Sequence, residues 1–276
     1  MTMTVRTNVA SMNASGQLGK TQKHLSRTLE RISSGFRINR AADDAAGLGV
    51  ATALETAAVS QKQGIRNAND GISIIQTSES ATNEVTDILQ RMRSLAVQSS
   101  SETLADEERS YIVDEFTALR SEINRIAVVT EFNGIALTDG TTNTLAVQVG
   151  VQNAASSRIN ITLGDLTTGT SGLNLAALDL SSFSGARSAL DFIDTALVSV
   201  NAFRSGIGAV QNRLDSAINN AVVYTEALSA AESQIRDADF AIETSELTKL
   251  QILQQSGVAA LAQAKNINQS VISLLS

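Results

Sequence analysis

Apolar side chains recur every three or four residues along residues 64–98. This spacing places them in a single stripe along an α-helix. No proline interrupts the segment, and the whole chain contains none. A stripe of this length cannot bury itself, so the pattern predicts other long helices packed beside it. The stripe consists of Ile65, Ala68, Ile72, Ile75, Ala81, Val85, Ile88, Met92 and Leu95.

Four further segments have helical spacing. Gaps of four and three residues from Leu18 to Phe36 form a heptad seam in which Gln22 is the one polar position. Another helix is expected from Asp106 to about Thr130, and a further long one over residues 186–235. A last amphipathic helix is expected after residues 236–239. The seam of the first is Leu18, Gln22, Leu25, Leu29, Ile32 and Phe36, and the stripe of the last is Leu247, Leu250, Val258, Leu261, Ile267, Val271 and Leu274.

The segment after the first heptad helix combines a stop signal with a start signal. Residues 33–35 are Ser-Ser-Gly, and residues 37–47 are predicted to connect to the next helix. Asp43 and Asp44 would lie at the beginning of that helix, where carboxylates accept hydrogen bonds from free N–H groups and oppose the helix dipole. The helix is expected to continue through the long stripe to about Ser99.

Residues 135–183 differ from the rest because they are rich in Thr, Gly and Asn. Apolar and other side chains alternate over residues 145–151 and again over 158–163, which is the period of a β-strand. The turn-rich segment 152–157 separates the two runs. We therefore predict a β-hairpin followed by a loop.

The order of these segments predicts a mainly α fold. We expect an elongated antiparallel helical bundle or coiled coil that carries a small β-hairpin insertion, with the N- and C-terminal helices paired. Three parts are predicted: residues 1–40 with 240–276 as a terminal coiled coil, 41–136 with 184–239 as a helical rod, and 137–183 as the insertion at its tip. We expect no additional outer domain.

Composition narrows the function classes. The formal net charge is −7 and the basic residues form no cluster, which argues against nucleic-acid binding. Cysteine is absent, so disulfides, thiolate metal sites and cysteine nucleophiles are excluded. No apolar run is long enough for a membrane span, and residues 1–16 lack the apolar core of a secretory signal.

Candidate catalytic residues do not form a site. His24 is the single histidine, and heptad spacing supplies it with no partner for metal binding or acid–base chemistry. Asp43 and Asp44 are adjacent on a helix, about 100° apart, so helix capping explains them better than paired catalysis. Gly47-Leu48-Gly49 follows no strand and does not indicate phosphate binding. We expect no enzymatic activity, no metal and no cofactor.

Several blocks of the sequence closely resemble bacterial flagellin. At the N-terminal end they are SSGFRINRAADDAAGLGVA (33–51), RNANDGISIIQTSE (66–79), LQRMRSLAVQ (89–98) and TEFNG (130–134). At the C-terminal end they are VQNRLDSAINN (210–220), AAESQIRDADFAIETSEL (230–247) and QILQQSGVAALAQA (251–264). The resemblance covers residues 1–136 and 184–276. In place of the tail proline that is common in the family, this chain has Ala-Lys-Asn-Ile-Asn-Gln at 264–269.

The resemblance implies an extracellular structural subunit that polymerises, alone or with other flagellins, into the helical flagellar filament used for motility. It also implies type III export without a cleavable signal peptide. Expected partners are other copies of the chain, the flagellar cap and hook-junction proteins and an export chaperone. A hook–filament junction protein is the main alternative. Reversible assembly into long filaments would distinguish a filament subunit from a junction protein, which should stay short or monomeric. An added adhesive role of the Thr/Ser-rich tip stays open.

The apolar stripes at both ends of the chain can serve as an intramolecular core or as a polymer interface, and we expect both at once. We therefore predict that the tails of the free monomer are mobile. The predicted inner-core polymerisation residues are Leu18, Leu25, Leu29, Ile32, Leu250, Val258, Leu261, Val271, Leu274 and Leu275. The predicted outer-core packing residues are Ile72, Ile75, Val85, Ile88, Met92, Ile112, Phe116, Leu119 and Ile123.

The block at 89–98 also resembles the flagellin segment that a vertebrate Toll-like receptor binds. The matching positions are Arg91 and Leu95, with Glu115 facing them from the next helix. The family's common Glu between these Arg and Leu positions is Ser94 here. Filament packing alone also explains this segment, and we favour packing as its biological role, with receptor recognition as a consequence.

Overall fold

Helices form most of the chain in the computed structural model, which describes residues 7–275 and the side chains of residues 7–266. The first helix starts earlier than the heptad pattern indicates, because the Asn8 side chain accepts a hydrogen bond from the Ser11 N–H and caps it. Gly35 ends it in the left-handed conformation, with φ of 77°. The helices are α1 (Val9–Ser34), α2 (Ala45–Ser99), α3 (Asp106–Val129), α4 (Phe183–Arg236) and α5 (Phe240–Leu275).

Two short antiparallel strand pairs connect α3 to α4. The predicted hairpin is present as β3 (Thr144–Gln148) and β4 (Arg158–Thr162), paired in register from Thr144–Thr162 to Gln148–Arg158. The prediction did not include the second pair, β1 (Glu131–Phe132) and β2 (Ile135–Ala136). Its turn is Asn133-Gly134, with φ of 51° and 76°, the two positive values that a type I′ turn requires. The Asn-Gly dipeptide was the available signal for this turn.

The chain divides into two compact units. The first consists of Met1–Thr56 with Ala227–Ser276, and the second consists of Ala57–Glu226. The boundary after residue 56 falls within α2, and the boundary after residue 226 falls within α4. Each of these two helices therefore contributes residues to both units. The three-part division made from the sequence places its boundaries elsewhere and stays a prediction.

Hydrophobic residues of α2, α3 and α4 form the core of the second unit. One cluster surrounds Met92, Phe116 and Ile193, all fully buried, and the other joins α2 and α4 to the β3–β4 hairpin. Gly64 allows this hairpin to approach α2 closely, because a Cβ at that position would collide with the Val149 carbonyl oxygen. The hairpin is therefore part of the core of this unit.

The predicted fold class is confirmed, with paired terminal helices and small antiparallel strand pairs. In the second unit, Arg93 of α2 pairs with Asp194 of α4, and Gly71 lies against Leu214. Since the position on α2 rises as the position on α4 falls, the two helices are antiparallel. Across the residues that the structure describes, no helix is both long and apolar enough to cross a membrane.

Candidate assembly surfaces

Helices α1 and α5 pair along their lengths in the first unit. The Asn8 side chain donates to the Ala264 carbonyl oxygen at 2.8 Å, near one end of the pair. At the other end, Arg31 forms a 3.1 Å salt bridge with Glu243, whose side chain is buried. These contacts run in opposite directions along the two helices, so the pairing is antiparallel.

Small and polar side chains bring the two helices together between these ends. A Cβ at Gly257 would lie 3.3 Å from Leu18 Cδ1, which shows that the glycine makes room for the leucine. Gln254 Nε2 donates to Gln22 Oε1 at 2.8 Å, so the polar position of the heptad seam is paired with a polar residue of α5. This hydrogen bond joins two side chains at the surface of the pair, and it matches one axial register of the two helices.

The predicted inner-core residues fall into four groups. Leu25 and Leu250 are buried between the helices, and Leu18, Ile32 and Leu261 are partly buried. Leu29 and Val258 are exposed by 48% and 53%. Helix α5 also exposes Ile252 and Leu253. Val271, Leu274 and Leu275 lie outside the residues whose side chains the structure describes.

The segments that precede α2 and α5 also meet in the first unit. Phe36 and Asp237 form an antiparallel bridge, and the Arg37 N–H donates to the Arg236 carbonyl oxygen at 2.7 Å. The Arg236 guanidinium lies 4.2 Å from the centre of the Phe36 ring and 3.0 Å from Glu55 Oε2. One arginine therefore joins the end of α4 to α2 and to the segment after α1.

Two aspartates cap the helices that follow these segments. The Asp44 carboxylate accepts from the Gly47 N–H at 2.9 Å, and Asp239 accepts from the Ala241 N–H at 2.8 Å. Asp43 was also expected to cap α2, but its carboxylate accepts instead from the backbone N–H of Asn39 and of Arg40 in the preceding connector. Of the two aspartates predicted at the start of α2, only Asp44 caps that helix.

The predicted outer-core residues lie in the second unit. Six of the nine are buried and three, Ile72, Ile88 and Leu119, are partly buried and packed against the two clusters. Their placement is that of an intramolecular core rather than of an exposed surface. The buried six are Ile75, Val85, Met92, Ile112, Phe116 and Ile123.

The loop after β4 contributes core residues that the sequence analysis missed. Leu166, Leu173, Leu175 and Leu180 are buried and belong to the cluster formed with α2, α3 and α4. Leucines recurring in a Thr- and Gly-rich stretch were the signal. The prediction of a loop is correct for the backbone, but the loop covers one end of the helical core.

Arg109 of α3 is a buried cation that the sequence analysis also missed, 5% exposed. Its guanidinium donates to the Ser99 carbonyl oxygen at the end of α2 and lies 3.4 Å from the Ser101 carbonyl oxygen. Ser99 Oγ in turn donates to the Leu180 carbonyl oxygen at 2.8 Å. A positive charge at a helix C-terminus is favourable, so this network ties α2, α3 and the loop together.

The candidate receptor residues differ in their exposure to solvent. Arg91 and Glu115 form an exposed salt bridge of 2.6 Å between α2 and α3. Leu95 is only 2% exposed and packs inside the cluster. Nearby, the hydrogen bond from Arg93 lowers the pKa of the exposed Asp194 carboxyl.

His24 is exposed on α1, beside a groove that α5 completes with Glu243 and Glu246.

Paired terminal helices, a second unit of long helices and small antiparallel strand pairs define the class of this protein as mainly α-helical. Two family models match the chain: the bacterial flagellin N-terminal helical region over residues 5–144 and the bacterial flagellin C-terminal helical region over residues 190–275. The chain belongs to the bacterial flagellin family.

Relatives match over the full length of the chain. The flagellin of Halalkalibacterium halodurans is 43% identical over 273 residues, which cover 99% of this chain and 100% of that protein. The flagellar filament 33 kDa core protein of Treponema phagedenis is 38% identical, with coverage of 99% and 100%. The protein is a structural subunit of the flagellar filament and belongs to the extracellular flagellum.

Solved structures show the same fold. The crystal structure of Bacillus cereus flagellin is 30% identical with a TM-score of 0.50, over 56% of this chain and 88% of that one. A putative flagellar hook-associated protein from Vibrio parahaemolyticus has a TM-score of 0.60 over 71% of this chain and 100% of that one. At 17% identity, the second likeness shows the fold alone.

Proposed function

We propose that this subunit polymerises through the apolar side chains that α1 and α5 leave exposed, with the buried seam between the two helices holding these side chains in place. The observation that carries the proposal is the exposure of Leu29, Ile252, Leu253 and Val258 beside the buried Leu25 and Leu250. Apolar side chains that are exposed to water favour association with another protein surface. Neighbouring subunits would cover them.

Substitution of Leu29 and Val258 by aspartate tests this proposal. Each change places a charge where the filament would exclude water, so filaments should fail to form while the circular dichroism of the monomer is unchanged. Ser188→Asp/Ser199→Asp, which adds the same number of charges on the exposed surface of α4 and away from α1 and α5, is the matched control and should assemble. Electron microscopy and sedimentation measure the outcome, and normal filaments from the Leu29→Asp/Val258→Asp chain would overturn the proposal.

We also propose the three-part organisation and the partners that family membership implies. Residues 1–40 with 240–276 would form the inner tube and residues 41–136 with 184–239 the outer tube. The cap, the hook-junction proteins and an export chaperone would contact the terminal helices, and export would use no cleavable signal. The chain would act without catalysis, metal or cofactor. Co-purification of chaperone with the chain, and its loss when residues 240–276 are removed, tests the chaperone contact.

Recognition by a vertebrate Toll-like receptor is a second candidate activity. The exposed Arg91–Glu115 pair favours it, because both side chains are accessible and charged. Leu95 would support this surface from the core rather than contact the receptor. A reporter-cell assay with monomeric protein should give a response that Arg91→Ala weakens; absence of any response, or a response unchanged by Arg91→Ala, would refute this candidate.

A further inference from the structure

A groove between α4 and the β3–β4 hairpin contains two guanidinium groups without anionic partners. Arg158 donates to Gln148 Oε1 at 3.0 Å and to Asn153 Oδ1 at 2.6 Å, both neutral oxygens. Within residues 7–266, neither Arg158 nor Arg213 forms a salt bridge. Both line the same groove, together with the buried Ile159 and the partly buried Ala217. The groove thus combines an apolar floor with uncompensated positive charge, in a chain whose net charge is −7.

A complementary surface lies at the start of α3. Glu107, Tyr111 and Asp114 are four and three residues apart, so they lie on one face of the helix. The tyrosine is 68% exposed, and both carboxylates are on the protein surface. Neither carboxylate forms a salt bridge with any residue whose side chain the structure describes. This surface, the α3 acidic face, presents one aromatic ring between two negative charges.

The two surfaces cannot meet within one chain. The α3 acidic face follows the Arg109–Ser99 contact at the end of α2, whereas the groove lies by the Val149 carbonyl oxygen that accepts from Gln61. Both contacts lie within the second unit, and α2 is continuous between residues 61 and 99. At a rise of about 1.5 Å per residue, these positions are about 57 Å apart along the helix.

We propose that the α3 acidic face of one subunit docks into the arginine groove of a second copy of the chain. The Tyr111 ring would cover the apolar floor beside Ile159 and stack against a guanidinium, while Glu107 and Asp114 would pair with the two arginines. Tyrosine and arginine are the residues that most often dominate binding energy in interfaces. The charges are complementary, and copies of the same chain are present wherever this protein assembles.

This contact is heterologous, because it joins two different surfaces of the same protein. A heterologous contact leaves one free groove and one free acidic face at the ends of any row of subunits, so the row can grow without closing. That property suits a filament. The inference rests on the proposed self-assembly and adds to it a specific contact between the larger units of two subunits.

Cross-linking between chains tests the contact without removing its residues. The chain contains no cysteine, so single cysteines can be introduced cleanly. Ser110→Cys beside the acidic face and Ser216→Cys in the groove are placed in separate chains, which are mixed, assembled and treated with a short bis-maleimide. A covalent dimer of the two chains is expected in filaments. Ser199→Cys, on the same helix as the groove but outside it, replaces Ser216→Cys in the control and should give no dimer.

Charge exchange gives an independent readout. Arg158→Glu/Arg213→Glu and Glu107→Arg/Asp114→Arg each place like charges at the contact and should raise the soluble concentration left after assembly by about tenfold or more. The chain that carries all four reversals has the wild-type net charge and opposite charges at the contact, so it should return to the wild-type value. Lys62→Glu/Arg66→Glu, outside the residues that line the groove, should leave assembly unchanged.

The results separate this inference from the proposed function. Filaments that form without the Ser110–Ser216 cross-link, or a four-reversal chain that stays as defective as its parents, would overturn the contact and leave assembly through α1 and α5 intact. Failure of the Leu29→Asp/Val258→Asp test would count against the terminal-helix proposal alone. Occupation of the groove by an acidic carbohydrate would also leave the cross-link absent and overturn the contact.

Discussion

Arg109 shows how a single residue can hold three segments of this fold together. It is buried without a carboxylate partner among the described residues, and the backbone carbonyl oxygens of Ser99, at the end of α2, and of Ser101, just after it, accept its hydrogen bonds. The Ser99 carbonyl group has no intrahelical donor because it belongs to the last turn of the helix. The arginine satisfies it and places a positive charge at the negative end of the helix dipole.

Arg109→Met should lower the free energy of unfolding by about 2 kcal/mol, because it removes the donor and leaves the Ser99 carbonyl oxygen buried without a partner. Urea denaturation followed by circular dichroism measures the change. Arg125→Met removes only an exposed pair with Glu122 and should have a much smaller effect on stability, because water screens exposed ion pairs. Equal effects of the two substitutions would contradict the structural role given to Arg109.

The Arg93–Asp194 pair gives a pH dependence that can be tested at the same scale. The folded protein lowers the pKa of Asp194, chiefly through the hydrogen bond from Arg93, below the value of about 4 expected in the unfolded chain. The contribution to stability is therefore present above about pH 4 and is lost as the pH falls through the folded-state pKa.

Asp194→Asn should accordingly destabilise the protein well above about pH 4 and have little effect well below it. Thermal unfolding at the two pH values measures the difference. The pair is exposed, so added salt should reduce the effect. In the Arg93→Gln background, Asp194→Asn should no longer matter at either pH; an undiminished effect there would assign the pH dependence to another group.

At the scale of elements, the leucine-containing loop after β4 is a part of the core that has no regular secondary structure. Backbone hydrogen bonds hold it, including those from Leu173 N–H to Thr167 O at 2.8 Å and from Leu175 N–H to Thr168 O at 2.9 Å. Asn174 lies between these leucines with φ of 54°. Its positive φ reverses the chain so that the leucines on both sides are buried.

Leu175→Ala should cost about 3 kcal/mol, because the side chain is fully buried and its loss leaves a cavity in the cluster. Val198→Ala on the exposed surface of α4 should change stability by less than about 0.5 kcal/mol. Chemical denaturation of the two variants gives the comparison. A small effect of Leu175→Ala would mean that the loop can be separated from the helical core.

Across the whole molecule, assembly is expected to change the accessibility of the two chain ends. If neighbouring subunits cover the apolar residues of α1 and α5, protease should cut within residues 1–40 and 240–276 of the monomer and spare the same residues in the filament. Limited proteolysis followed by mass spectrometry identifies the cut sites. Equal protection of these residues in both states would contradict the predicted mobility of the free tails and their coverage on assembly.

The candidate site could be predicted only in part from the sequence. Heptad spacing identified Leu25 as a buried position, but it placed Leu29 in the same seam, and the structure leaves Leu29 half exposed. Spacing cannot say which partner covers each position, since a heptad pattern describes one helix and not its neighbour. Thr28 fills a buried place on α1 that hydrophobicity would not indicate. The predicted outer-core residues are buried or partly buried in the second unit, and their role in the filament stays a prediction.

The sequence by itself determined the helices, the predicted hairpin and the family, because periodicity, helix-capping residues and the motif blocks are local properties of the chain. Tertiary structure decided how the loop leucines reach the core, which atoms pair with Arg109, and why Leu95 is buried while Arg91 is exposed. It also decided that Arg158 and Arg213, 55 positions apart in the sequence, line one groove. These contacts join residues distant in sequence, and their geometry depends on how whole elements pack.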